Sequence, residues 1–181
     1  RITEIRGNLT KVTEFAYDSV AATWSHSRGD GLRNESQEIV IRGEDTVKTI
    51  TVRDSVNVIS SKVERTYRAY AWGEELIQEV LDPDGAAITT LFEFHDSVDP
   101  SDPDYGRLDR RRDPDGNWER FTYDSRGRVL KSIRPFLDAS DRARDESQAR
   151  VTEYRYDPLP DSDGDGKEEA STTTIEFTLG Q

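Results

Sequence analysis

One short phrase recurs along this chain: an aromatic residue, any residue, tyrosine, aspartate. Phe15-Ala16-Tyr17-Asp18, Phe121-Thr122-Tyr123-Asp124 and Tyr154-Arg155-Tyr156-Asp157 all carry it. Phe92-Glu93-Phe94-His95 is a variant with histidine in the aspartate's place, and Tyr70-Ala71-Trp72-Gly73 is a weaker relative. Aromatics at i and i+2 share a face in an extended strand, so each phrase predicts a strand with a two-ring ledge on one side. A repeated unit of that kind buries its ledge against neighbouring units.

Between the phrases lie turns with a mechanism. Asp82-Pro83-Asp84-Gly85 and Asp113-Pro114-Asp115-Gly116 place Pro where φ is preset and Gly where φ can turn positive, and Asp124-Ser125-Arg126-Gly127 offers an Asx-type start with the same closing glycine. The runs 11–17, 39–42, 47–53, 89–94, 117–123, 128–133, 151–156 and 172–179 are rich in Thr, Val, Ile, Phe and Tyr and read as strands. The fold expected is therefore all-β: an antiparallel β-hairpin repeat, a meander or spiral sheet, with polar inserts and at most one short helix. That helix is expected within 138–150, where helix formers follow cap candidates Asp138 and Ser140. The Pro/Asp-rich stretch 98–105 and the polar stretch 25–37 are expected to be loops. Two regions follow: an N-terminal β segment over 1–69 with a long polar loop, and a hairpin array over 70–181 with inserts at about 98–105 and 137–150.

Composition fits a thin sheet. Apolar residues make up 33% of the chain, well below the about 45–50% of ordinary globular domains. A single-layer sheet with one wet face needs few apolar residues. Acidic residues outnumber basic ones 37 to 25, for a net charge of −12, which argues against nucleic acid and anionic membrane as partners. The chain has no cysteine, hence neither disulfides nor thiolate chemistry. It holds no apolar run long enough to cross a bilayer as a helix. Arg1 at the start, without a signal-peptide pattern, suggests a part of something longer.

The run DPDGNWERFTYDSRGRVL, 113–130, resembles a YD repeat of the RHS family. Gly116, Phe121, Tyr123, Asp124, Gly127, Arg128, Val129 and Leu130 match that pattern in order, and Gly106-Arg107-Leu108 resembles its Gly-Arg-apolar half. The resemblance is specific over 113–130, fair over 70–157, and poor before 70. It implies a β-ribbon that coils into a shell, enclosing a cargo polypeptide in toxin complexes and polymorphic toxins and forming the barrel of an adhesion receptor in teneurins. The family's self-cleaving motif has no counterpart here, so the resemblance carries no catalytic residue.

Chemistry-bearing motifs are sparse. Asp161, Asp163 and Asp165 precede Gly166 with the spacing of a calcium loop. The position of an EF-hand's final ligand falls on Thr172, leaving Glu168 or Glu169 to serve in another geometry, and a solvated acidic loop is the plainer reading. Calcium is the only cofactor raised. His26 and His95 are the only histidines, and no nucleophile-elbow motif accompanies them. His95 is expected to cap a turn in the aspartate's place. The cluster Arg107, Arg110, Arg111 and Arg112 is expected to pair with neighbouring carboxylates.

The expectation is a non-catalytic structural segment of a larger exported or surface-displayed protein. Its turn residues would be Gly85, Gly116, Asp124 and Gly127, and its ledge rings Phe92, Phe94, Phe121, Tyr123, Tyr154 and Tyr156. Partners would be further repeats of the parent chain and an enclosed polypeptide, or a second copy through an edge strand, without membrane insertion. The alternative is an extracellular adhesion or carbohydrate-binding module, calcium-stabilised, that uses exposed Trp24, Trp72 or Trp118.

Overall fold

The computed structural model describes residues 2–6, 9–20, 23–29, 33–136, 146, 149–159 and 169–178. All regular structure among them is β-strand. The chain divides into two units, 1–91 and 92–181. Each is an antiparallel meander whose strands follow chain order, as the turn spacing predicts.

The first unit holds β1 (Ile2–Arg6), β2 (Leu9–Asp18), β3 (Thr23–Gly29), β4 (Arg33–Arg42), β5 (Asp45–Asp54), β6 (Ile59–Tyr70), β7 (Gly73–Leu81) and the start of β8 (Ile88–Phe94). Val47, Thr51, Val52 and Val80 are buried among its described residues. Ion pairs link its strands: Arg68 to Asp45 at 2.8 Å, Arg65 to Glu79 at 2.6 Å and Lys48 to Glu74 at 2.9 Å. The first two explain why the highly charged β6 is a strand: Arg68 lies directly opposite Asp45 and Arg65 directly opposite Glu79, and opposite charges facing each other across a ladder stabilise the pairing.

The stretch 25–37 corrects the sequence expectation of a long loop. Its described residues, 25–29 and 33–37, lie in β3 and β4, which pair with His26 opposite Gln37, Ser27 opposite Ser36 and Arg28 opposite Glu35. Backbone ladders need no apolar side chain where both faces are near solvent, so a polar composition alone does not exclude a strand.

The second unit takes the end of β8 and adds β9 (Leu108–Arg112), β10 (Trp118–Tyr123), β11 (Val129–Pro135), β12 (Ala149–Leu159) and β13 (Glu169–Thr178). Trp118, Ile133, Ala149 and Val151 form its buried cluster. Residues 98–105 form a non-strand loop, ordered by aspartates that accept backbone N–H groups: Asp99 from Ser101 and Asp102 from Asp104, both at 2.9 Å. Of the expected helix, Ala149 and Arg150 instead open β12, paired with Pro135 and Arg134. Residues 138–145 and 147–148 lie outside the described residues.

Three of the turns share one hydrogen-bond scheme. An aspartate N–H donates to the carbonyl four residues on, and the residue three positions on donates back to the aspartate carbonyl. The scheme joins Asp54 with Val58 and Asn57, Asp113 with Asn117 and Gly116, and Asp124 with Arg128 and Gly127. In each, the third residue after the aspartate has positive φ: +66° at Asn57, +86° at Gly116 and +72° at Gly127. Glycine and asparagine are the residues that tolerate this conformation.

Asp82–Gly85 departs from that scheme and corrects the expectation for Gly85. Positive φ falls on Asp82 at +52° and Ala87 at +50°, not on Gly85. Five residues separate the paired ends Arg112 and Trp118, whereas six separate Leu81 and Ile88. The additional residue forces a different turn on the same tetrapeptide.

Candidate functional site

The repeat phrase becomes a physical contact in the second unit. Tyr123, near the end of β10, donates its hydroxyl proton to the carbonyl of Leu108 at 2.8 Å. Tyr156, in β12, does the same to the carbonyl of Val129 at 2.8 Å. Leu108 and Val129 occupy the same place in the phrase, each following Gly-Arg. The preceding arginines also correspond: Arg107 lies over the Tyr123 ring at 5.9 Å and Arg128 over the Tyr156 ring at 4.1 Å. Each tyrosine is thus held at its hydroxyl by a carbonyl and on its face by a cation, the second contact strongest where the ring is partly desolvated.

The aspartates after the tyrosines set the corners. Asp124 Oδ1 accepts the backbone N–H of Arg126 at 2.8 Å and of Arg128 at 2.9 Å, while Oδ2 accepts Arg128 Nε at 2.7 Å. The Arg128 backbone N–H, with the Arg128 guanidinium and the Arg126 N–H, holds the Asp124 carboxyl below the usual carboxylate range. Backbone N–H donors lower Asp99 and Asp102 in the same way, those of Ser101 and Asp104 foremost. Burial pushes the Tyr123 phenol up. Gly127 has a second role: a Cβ there would stand 2.3 Å from Nη2 of Arg107. Gly116 has open space at the same point.

The six ledge rings, Phe92, Phe94, Phe121, Tyr123, Tyr154 and Tyr156, are all half-buried and lie in β8, β10 and β12. The arginine cluster divides. Arg110 is buried and paired with Glu93, and Arg111 meets Asp113 at 2.7 Å. The His95 ring does not cap a turn: it lies 3.9 Å from Asp104 and 3.8 Å from Asp109, edge-on to Tyr123. Trp118 corrects another expectation, for it is 6% exposed and part of the core. Its strand position put it on the face opposite Phe121 and Tyr123, but which face is covered depends on β11 and β12.

Trp24 is 58% exposed and lies tilted against Tyr17, itself 52% exposed, with ring centroids 4.6 Å apart. Phe15 and His26 lie beside them on the same pair of strands. Asp161, Asp163 and Asp165 lie outside the described residues, and among those described no cluster of histidine and carboxylate side chains is placed to hold a metal. No family model matches the chain, and no curated protein matches its sequence.

Proposed function

We propose that this chain is a non-catalytic structural segment of a larger RHS/YD-repeat protein, contributing to a β-shell that encloses or scaffolds a toxin or other polypeptide. One observation carries the reading: the Tyr123–Leu108 and Tyr156–Val129 contacts recur at matching positions of the repeat with the same 2.8 Å geometry. A contact repeated in register is the signature of a stacked array, in which each unit is stabilised by its neighbour. In this reading the chain is carried by an exported or cell-surface protein and meets further repeats of that protein. The test is protease treatment of the intact parent protein, followed by mass spectrometry. A protected internal polypeptide, exposed to digestion by the paired change Tyr123→Phe and Tyr156→Phe, is expected. Complete digestion of every segment outside the repeats overturns the reading.

The exposed Tyr17–Trp24 pair supports a second reading, an adhesion or carbohydrate-binding surface on β2 and β3. Sugar rings stack on such exposed aromatic faces. Glycan-array binding lost in Trp24→Ala would favour it, and equal signals from both proteins would end it.

A further inference from the structure

A row of charge crosses four adjacent strands of the second unit. Arg111 of β9 faces Glu119 of β10, and Arg134 of β11 faces Arg150 of β12. Arg134 joins the two halves by donating from Nε and Nη2 to Oε1 of Glu119 at 3.0 and 2.9 Å. Ser132 donates its hydroxyl to that same oxygen. Arg111, Glu119, Arg134 and Arg150 line a cavity of about 390 Å³ with Asp113 and Trp118. Its size is that of a site for a small molecule.

The charges in the row do not balance. Glu119 is engaged by Arg134 and Ser132, and Asp113 holds Arg111. Among the residues whose side chains the structure describes, no carboxylate forms an ion pair with Arg150. Like charges directly opposite each other on paired strands destabilise the pairing, and Arg134 and Arg150 are such a pair. A protein this acidic has ample carboxylate to place there, yet the row keeps an excess of positive charge facing a concavity. Planar guanidinium groups bind carboxylate and phosphate oxygens through paired hydrogen bonds.

We propose that this cavity binds a small organic anion through a carboxylate or phosphate group held between Arg134 and Arg150. The overall charge of −12 disfavours a long polyanion, whose approach meets repulsion across the surface, and leaves a compact anion as the occupant. The bound group would neutralise the cross-strand arginine pair, so binding and stability of the β11–β12 pairing are coupled.

The test is isothermal titration of the 181-residue chain with inorganic phosphate and, separately, with malonate, at constant ionic strength. Saturable binding of at least one is expected, and the tighter of the two identifies the headgroup. Arg150→Gln should weaken it about ten- to hundredfold, as expected for loss of a charged hydrogen bond. Arg155→Gln makes the same charge change on the same strand and should leave binding unaltered. Without anion, Arg150→Gln should melt no lower than the parent, because it removes the like-charge pair. Absence of saturable binding by both anions, or equal weakening by the two substitutions, overturns the proposal.

Discussion

The tetrapeptide Asp-Pro-Asp-Gly occurs twice and folds two ways. At 113–116 its glycine takes φ +86° with nothing within 4 Å of where a Cβ would stand. At 82–85 the glycine has no positive φ, and a Cβ would stand 2.3 Å from the Asp82 carboxylate. That carboxylate accepts the Ala86 N–H at 2.9 Å, and the Asp82 N–H reaches back to the Lys62 carbonyl at 2.9 Å. The same glycine is thus needed for its backbone conformation in one turn and for its lack of a side chain in the other. Turn chemistry in this chain is set by the number of residues between paired strand ends as much as by the residues themselves.

Substitution separates the two demands, most strongly at the related turn of Gly127, where both coincide. Gly127→Val should cost about 2–3 kcal/mol, combining the left-handed penalty with displacement of Arg107 from the Tyr123 ring. Urea denaturation measures it, and a loss no larger than that of Gly116→Val would show that the Arg107 approach is without consequence. Gly116→Ala should cost about 1 kcal/mol from conformation alone. Asp82→Ala should cost about 1 kcal/mol at the other turn by releasing the Ala86 N–H, whereas Gly85→Ala there should act only through the same carboxylate. In the double variant Asp82→Ala/Gly85→Ala the two costs should therefore fall short of their sum. Full additivity would sink the close-approach account. The smallest effect is expected at Ala87, where φ is +50°. Ala87→Gly should raise stability by no more than about 1 kcal/mol, since relief of strain is offset by the freer unfolded chain.

Acid sharpens the same contrast between corners. The Asp124 carboxyl is lowered in the folded state, first by the Arg128 N–H, against about 3.9 in the unfolded chain. Its contribution is therefore present above about pH 4 and disappears as pH falls through the lowered folded value. Asp99 and Asp102 act in the same direction. Melting temperature should fall steeply below pH 4, and Asp124→Asn should flatten part of that limb. An unaltered acid limb in the variant would show that Asp124 is not among the groups responsible.

Strand positions with apolar or β-branched runs were legible because alternation places them on a half-buried surface. β10, β11 and β12 are of this kind. β3 and β6 were not, because their side chains are polar and their pairing rests on backbone bonds and cross-strand charges such as Arg65 with Glu79. The role of Asp124 was legible from the Asx signal, and the two-ring spacing of the ledge from the period of a strand. That Tyr123 and Tyr156 reach Leu108 and Val129 was not, since 15 and 27 residues separate the partners. A signal was nonetheless present: the repeated Gly-Arg-apolar triplets mark both acceptors.

By itself, then, the amino-acid order determined an antiparallel hairpin chain, its half-buried rings and the aspartates at its corners, because these depend on local conformation and a period of two. Tertiary structure decided in which Asp-Pro-Asp-Gly the glycine bears the positive φ and that Trp118 is core. It also decided that Arg111, Glu119, Arg134 and Arg150 share one row. Those outcomes depend on strand register, a relation between distant segments that no single stretch of sequence contains.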